Sequence, residues 1–171
     1  MEIRLYNSKN KKKEIFRPIN DENVTIYVCG PTVYGAHHIG NARPAVVFDT
    51  LVKLLRNKYK KVTYARNITD VDDKIIEASK KKKKSINDIT QEVTKIFHQN
   101  CESLNCLKPT KEPKATEHIQ EMIEMTSSLI EKKFAYVNEG HVYFSVTSFK
   151  SYGKLSNKNL EDLKAGSRVE I

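Results

Sequence analysis

The stretch that decides the fold is VTIYVCGPTVYGAHHIGNAR, residues 24–43. Residues 24–29 alternate as in a strand, and Gly30-Pro31 stops that strand directly after Cys29. Apolar residues then recur at three-to-four spacing over residues 40–56, as in an amphipathic helix. Residues 62–66 follow as a second strand. This order predicts a βαβ unit with two parallel strands, and ligands of such sheets bind beyond the carboxyl ends of the strands.

Two further helices and a hairpin follow this unit. Apolar stripes over residues 86–104 and 119–130 predict the helices, and two prolines break the chain between them. Asn138-Glu139-Gly140 resembles a three-residue hairpin loop with glycine in the left-handed position. An antiparallel hairpin does not continue the βαβ pattern, so we expect an inserted segment to begin there. The five lysines at residues 80–84 are interpreted as a solvated helix end.

Composition limits the class of protein. The chain has 171 residues, enough for one domain or a piece of one, and no apolar run approaches the ~18 residues that a membrane helix needs. Three cysteines are too few for a disulfide framework, so we expect a reducing, cytoplasmic setting and no membrane. A net charge of +9, with 24 lysines among the 30 basic residues, favours a polyanionic partner and leaves RNA, DNA and anionic lipid open.

The start of the predicted helix is a candidate phosphate site. A helix amino terminus offers unpaired N–H groups and a partial positive charge. His38 and Asn41 are three residues apart and are expected on one face of the first turn, with Gly40 leaving room for a planar base. Taken alone, His-Ile-Gly-Asn also fits a surface or packing histidine.

Longer blocks of sequence give a sharper interpretation. They are CGPTVY at residues 29–34, HIGNAR at 38–43, YARNITDVDDKII at 64–76, KEPKAT at 111–116 and YGKLS at 152–156. Together they resemble the cysteinyl-tRNA synthetases, and HIGNAR resembles the HIGH motif of class I synthetases. The resemblance implies an α/β fold: the first half of a Rossmann-like parallel-sheet catalytic domain over residues 1–133, and the start of an inserted connective segment over residues 134–171. It also implies that the remainder of the enzyme lies beyond this chain.

The same resemblance implies an activity and a site. The enzyme would activate cysteine with ATP and Mg²⁺, form cysteinyl-adenylate and transfer cysteine to tRNA(Cys). The implied catalytic residues are His38 and Asn41; the implied ATP-binding residues are Tyr34, His38, Gly40 and Asn41; the implied cysteine-binding residues are Gly30 and Thr69. Asn41 replaces the last histidine of the motif and can donate a hydrogen bond without carrying a proton-dependent charge. Gly35 also departs from the family, which often has aspartate there.

Zinc is the second implied cofactor. The resemblance makes Cys29 a zinc ligand, with the other ligands beyond Ile171, whereas the residues alone favour a small buried packing residue at a strand end. A thiolate is a far better zinc ligand than a hydroxyl, which would separate cysteine from serine. This chain alone is therefore expected to be inactive, because catalytic zinc needs about three protein ligands.

Two other clusters have competing interpretations. Asp70, Asp72 and Asp73 suggest a bound cation, but they lack the spacing of an EF-hand and fit helix capping better. His98, Cys101 and Cys106 suggest part of a zinc site, but Cys101 shares a helical stripe with apolar residues and is expected to pack.

Two rival functions share these residues. A related ligase would join cysteine to an amine instead of tRNA. A noncatalytic module would keep the fold and bind RNA through its lysines. An assay with tRNA separates the first rival, and ATP binding at His38 would count against the second.

Overall fold

A computed structural model describes residues 2–158. In chain order its elements are β1 (Arg4–Asn7), β2 (Lys12–Ile15), β3 (Val24–Val28), α1 (Ile39–Lys58), β4 (Val62–Arg66), α2 (Asp73–Lys82), α3 (Ile86–Ser103), a 3₁₀ turn (Ala115–His118), α4 (Ile119–Glu131), β5 (Ala135–Asn138), β6 (His141–Phe144) and a second 3₁₀ turn (Val146–Ser148). Of the described residues, Pro18–Ile119 form one compact unit, and residues 2–17 and 120–158 belong to the other. No helix within residues 2–158 is long and apolar enough to cross a membrane.

The predicted βαβ unit is confirmed, and with it the α/β class. β3 and β4 pair in parallel, with Val28 opposite Arg66, and α1 connects them. Val52 of α1 is fully buried and packs in one cluster with Val28 and Tyr64. Full burial of a valine contributes about 1.5 kcal/mol. This contact holds α1 against the strands.

Residues 110–115 run beside β4 on the side away from β3. The amide of Arg66 donates to the carbonyl of Lys111 at 3.0 Å, and the amide of Ile68 donates to the carbonyl of Pro113 at 2.9 Å. The pairing is parallel but reduced to isolated bridges. The sequence predicts only a chain break here, because proline has no N–H to donate to a ladder.

The first unit has a second packing layer made by α3. Its core cluster comprises Val33, Ala45, Ile68, Ile89, Val93, Phe97 and Cys101. Val33 belongs to the turn after β3, so this cluster ties that turn to α3. The packing role predicted for Cys101 is confirmed, since its side chain is buried in this cluster.

The hairpin of the other unit differs from the prediction in its loop. β5 and β6 pair with Asn138 opposite His141, so the loop has two residues and the three-residue interpretation is wrong. Glu139 and Gly140 have φ of 48° and 79°, as a two-residue type I′ turn requires. Asn138 stays in the ladder because Glu139 adopts the left-handed conformation.

The lysine run behaves as predicted. α2 ends at Lys82, Lys83 adopts a left-handed conformation, and residues 80–84 are all exposed. Lys84 pairs with Glu92 at 2.7 Å, and both side chains are about half exposed. Such exposed pairs contribute little to stability.

We expect Asp70→Ala to lower the free energy of unfolding by about 2–3 kcal/mol, because it removes two charge-assisted hydrogen bonds. Asp70 is 8% exposed and accepts from the amide and hydroxyl of Thr116 at 3.0 and 2.6 Å. Asp73→Ala is the control, since Asp73 is exposed in the first turn of α2 and its loss should cost about 0.5 kcal/mol. Urea unfolding followed by circular dichroism measures both. Equal losses would contradict a special role for Asp70.

Candidate functional site

A small pocket of about 110 Å³ lies at the carboxyl end of β3, where sequence analysis placed the site. Its lining residues are Val28, Cys29, Gly30, Pro31, Gly40, Asn41, Pro44, Ala45, Arg66 and Phe97. The structure thus brings together four of the predicted site residues, Cys29, Gly30, Gly40 and Asn41. The other three, Tyr34, His38 and Thr69, do not line this pocket.

The turn after β3 is held by the chain that follows β4. The side-chain carbonyl of Asn67 accepts from the amide of Gly30 at 2.8 Å, and its NH₂ group donates to the hydroxyl of Thr69 at 3.1 Å. Thr69 also exchanges backbone hydrogen bonds with Pro31 and Val33, at 3.0 and 3.1 Å. Thr69 therefore supports the turn. The sequence predicts no role for Asn67, although Asn67 lies in a block that carries the resemblance.

The space at position 30 accommodates only glycine. A Cβ at this position would lie 1.5 Å from the carbonyl oxygen of Asn67, so no larger residue fits without moving the backbone. The close approach lets the amide of Gly30 reach the side chain of Asn67. Cys29 follows the last paired residue of β3 and lines the pocket.

Cys29 is an exposed thiol. Among the described residues, its Sγ makes one weak contact, to the carbonyl of Gly30 at 3.7 Å. The alternative that Cys29 is a buried packing residue is therefore wrong. An accessible thiol suits a soft metal ion, but among residues 2–158 no group of three or more His, Cys, Asp or Glu side chains could hold one. The described chain thus offers one zinc donor here, not a complete site.

His38 and Asn41 cap α1 reciprocally. His38 is the N-cap: its Nδ1 accepts from the amide of Gly40 at 3.0 Å, and its own amide donates to Oδ1 of Asn41 at 3.1 Å. Because Nδ1 is an acceptor, Nε2 carries the hydrogen of the neutral imidazole. The exposed His38 ring thus presents Nε2–H as a donor, and Asn41 keeps its NH₂ group as another.

Gly40 makes this cap possible. A Cβ there would lie 2.7 Å from Cε1 and 3.0 Å from Nδ1 of His38. The imidazole therefore folds over the first turn only because Gly40 has no side chain. The role predicted for Gly40 is to leave room for a nucleotide base, whereas the structure shows that the side chain of His38 already needs this space.

His37 has a different environment from its neighbour. Its ring lies 4.9 Å from that of Phe97, and neither ring nitrogen has a hydrogen-bond partner within the described residues. Burial, and secondarily the proximity of His38, lower the pKa of His37. At neutral pH His37 is therefore uncharged. The two histidines line a second pocket, of about 290 Å³, with apolar residues of α1 and α3.

Tyr34 lies on the surface beside α2. Its side chain is 43% exposed, and Nζ of Lys74 lies 5.5 Å from the centroid of its ring. A cation over an aromatic face at this distance is attractive but weak at an exposed position. The ring of Tyr34 is thus accessible to a ligand and has the ammonium group of Lys74 over one face.

Arg66 is a second residue of the site for which the sequence predicts no role. It is 4% exposed, and its guanidinium lies 3.2 Å from Glu112 and 4.7 Å from the ring centroid of Phe97. Burial opposes its charge, but Tyr64, Cys101 and Glu112 outweigh burial and raise the pKa of Arg66. A permanent cation therefore lines the pocket. Residues 62–66 have the periodicity of a strand, and this pattern does not indicate that the side chain of Arg66 is buried.

The acidic residues after β4 serve the fold. Asp72 is the N-cap of α2 and accepts from the amide of Lys74 at 2.9 Å, so the predicted capping role is confirmed for it. Both carboxylate oxygens of Asp70 bind Thr116. Asp73 lies in the first turn of α2 and is exposed. The carboxylates of Asp70 and Asp72 are thus already engaged by protein donors.

His98 and Cys106 have separate partners. Nε2 of His98 lies 2.6 Å from Glu112, the carboxylate that also pairs with Arg66. Sγ of Cys106 contacts the carbonyl of Leu104 at 3.9 Å. These contacts assign His98 to the ion-pair network around Arg66.

Comparison with known proteins agrees with this geometry. The sequence matches the family described as tRNA synthetases class I (C) catalytic domain over residues 15–171. Among curated relatives, the cysteine–tRNA ligase of Pelagibacter ubique (strain HTCC1062) is 59% identical over 99% of this chain and 38% of the relative. That of Wolbachia pipientis subsp. Culex pipiens (strain wPip) is 53% identical over 99% of this chain and 36% of its own length. That of Saccharophagus degradans is 50% identical over 100% of this chain and 37% of its own length.

The chain therefore spans less than two fifths of the length of these relatives. The family match nevertheless covers all of the elements that form the candidate site, from β3 to the segment beside β4. On this match, the chain belongs to the family of class I (C) tRNA synthetase catalytic domains.

Proposed function

We propose that the protein containing this chain is a cysteine–tRNA ligase, which activates cysteine with ATP and transfers it to tRNA(Cys). The observation that carries the proposal is an exposed thiol, Cys29, placed beside a helix amino terminus where, within residues 2–158, two side-chain donors remain available for a ligand. The relatives that are 50–59% identical to the chain bear the name of this activity. The net charge of +9 suits a polyanion such as tRNA.

The first step would be in-line adenylyl transfer at the start of α1. The carboxylate of cysteine attacks the α-phosphorus of ATP, held with Mg²⁺, and the bond to pyrophosphate breaks. Negative charge develops on the α-phosphate oxygens, where Nε2–H of His38 and the NH₂ group of Asn41 would donate hydrogen bonds. The amino terminus of α1 adds its partial positive charge. In the second step a ribose hydroxyl of tRNA attacks the mixed anhydride, and AMP leaves.

ATP would lie along the first turn of α1. Gly40 and Asn41 border the pocket, and the exposed ring of Tyr34 offers an aromatic face. Lys74, which lies over that ring, would add a positive charge near the triphosphate. Asn41 is neutral at every pH, so its contribution is a fixed hydrogen bond and not proton transfer.

Cysteine would be recognised beside Cys29. Gly30, which lines the pocket, and Thr69, which supports the turn that carries Gly30, would contact the amino acid. Cys29 would hold a zinc ion together with ligands from outside the described residues. Such an ion binds the thiolate of cysteine in preference to the hydroxyl of serine.

Two broader assignments belong to the same proposal. Residues 1–133 would form the first half of the catalytic domain, and residues 134–171 would begin the connective insertion. The protein would act in the cytoplasm, where tRNA is aminoacylated and where three unpaired cysteines remain reduced.

The proposal is tested with the full-length protein. We expect cysteine-dependent exchange of pyrophosphate into ATP, no exchange with serine, and esterification of cysteine to tRNA(Cys). Exchange without any charging of tRNA, but with transfer of cysteine to an amine, would establish the amine ligase instead. Binding of tRNA without exchange would establish a noncatalytic module.

Cys29→Ser is expected to remove most of the bound zinc and cysteine-dependent exchange, because a hydroxyl is a poor zinc ligand beside a thiolate. Metal analysis of the purified full-length variant measures the first effect, and pyrophosphate exchange measures the second. Cys106→Ser is the matched control and should retain zinc, since Cys106 lies outside the pocket lining. Full zinc content in Cys29→Ser would remove Cys29 from the metal site.

His38→Ala and His38→Asn separate catalysis from capping. Both remove Nε2–H, so both should slow adenylate formation by about 100-fold. Asparagine still accepts from the amide of Gly40, so only the alanine variant should lose about 1 kcal/mol of stability. Single-turnover rates and urea unfolding are the measurements. A normal rate in His38→Asn would show that the ring acts only as a cap.

Gly40→Ala should slow adenylate formation while zinc content stays normal. The added Cβ would collide with the ring of His38, which must rotate away from its capping position. Gly35→Ala is the control, because a Cβ there meets nothing within 4 Å. Pyrophosphate exchange with both variants is the test, and equal rates would refute this steric coupling.

A further inference from the structure

The carboxyl end of α3 is a Schellman turn with a cysteine at each of its two contact positions. Asn105 has φ of 54°. The amide of Cys106 donates to the carbonyl of Cys101 at 2.9 Å, and the amide of Asn105 donates to Glu102 at 2.9 Å. In a Schellman turn, the side chains at the positions that Cys101 and Cys106 occupy here commonly make a hydrophobic contact. Here both partners in that contact are thiols.

The turn brings both cysteines to the same apolar cluster and the same pocket. Cys106 packs against the core cluster that contains Cys101, and both line one pocket of about 690 Å³. The turn is fastened to α1 at two points, since Lys53 donates to the carbonyl of Asn105 at 2.9 Å and Leu107 donates to Asp49 at 2.7 Å. These contacts and the 2.9 Å hydrogen bond between their backbones keep Cys101 and Cys106 close in space, as a disulfide requires.

We propose that Cys101 and Cys106 form an intrachain disulfide when the protein meets a peroxide, so that the end of α3 is a reversible oxidation site. The thiolate of Cys106 attacks a peroxide oxygen: an S–O bond forms, the O–O bond breaks, and hydroxide leaves. The thiolate of Cys101 then attacks the sulfur of Cys106: the S–S bond forms, the S–O bond breaks, and hydroxide leaves. With the two thiol protons, hydrogen peroxide is reduced to two water molecules.

The order of the two steps follows from burial. Cys106 is half-buried and reaches the pocket, whereas Cys101 is 7% exposed and cannot meet the oxidant first. Nη1 of Arg66 lies 3.8 Å from Sγ of Cys101 and favours its thiolate as the resolving nucleophile. Arg66 also lines the candidate active-site pocket, so the oxidised pair would contact a residue of that site.

The surroundings make the reaction slow at neutral pH. Burial raises the pKa of Cys101 and of Cys106, and Asp49 raises the pKa of Cys106 further. Arg66 opposes both shifts, and Lys53 opposes that of Cys106, without cancelling them. Oxidation should therefore speed up as pH rises and the thiolates form.

One tryptic peptide reports the outcome. Residues 96–111 contain both cysteines, because trypsin does not cleave between Lys108 and Pro109. The native full-length protein is treated with hydrogen peroxide, its free thiols are alkylated, and the digest is analysed by mass spectrometry. We expect this peptide to lose two hydrogens and escape alkylation, and to regain both thiols with dithiothreitol. Cys106→Ser and Cys101→Ala should each abolish that product.

A second measurement tests whether the fold drives pairing. Equilibrium with a glutathione redox buffer should favour the disulfide at least about tenfold more in the native protein than in guanidinium, since the turn preorganises the thiols. Equal constants would overturn the proposal, as would oxidation of Cys106 to sulfinic acid without pairing. A cross-link from either cysteine to the peptide of Cys29 would also overturn it.

Discussion

The close approach of Gly30 to the chain after β4 is the constraint on which the candidate site depends. A Cβ on Gly30 would lie 1.5 Å from the carbonyl of Asn67, so the contact exists only with glycine. The side-chain amide of Asn67 can therefore accept from the backbone N–H of Gly30 and donate to the hydroxyl of Thr69. The parallel pairing of the two segments continues beyond the strands as a bridge between Thr32 and Thr69. As a result, Cys29 is left exposed beside the start of α1, and the turn after β3 reaches α3 through Val33.

A second constraint is the buried charge of Arg66. Taking an isolated guanidinium out of water costs several kcal/mol, and the cost is offset only by well-placed partners. Glu112 supplies the opposite charge, Phe97 its aromatic face and Cys101 a polarisable sulfur. Because these partners come from α3 and from the segment beside β4, ionisation of Arg66 ties three parts of the chain together. The same side chain forms part of the pocket wall, so the structural ion pair and the candidate site are coupled.

The candidate catalytic side chains, His38 and Asn41, also stabilise the amino terminus of α1. His38 and Asn41 satisfy amides of the first turn of α1, which would otherwise lack partners. This arrangement selects the tautomer of His38 and directs Nε2–H outward. A single hydrogen bond thus both stabilises the helix and orients the proposed donor, and the missing side chain of Gly40 is what permits it. Substitutions in this turn therefore affect both the stability of α1 and the orientation of the proposed donor.

The sequence by itself determined the strands and helix of the βαβ unit, the helices α3 and α4, the solvated lysine run and the capping role of Asp72, because each depends on neighbours within a few residues. The parallel pairing of β3 with β4 joins more distant segments, and it is predicted from the general topology of strand–helix–strand units. The resemblance in its longer blocks also identified the family. Only the tertiary structure decided that Cys29 is exposed, that Arg66 is buried, and that residues 110–115 run beside β4. These features arise between segments about forty residues apart, and periodicity reports which face of an element is apolar but not what that face meets.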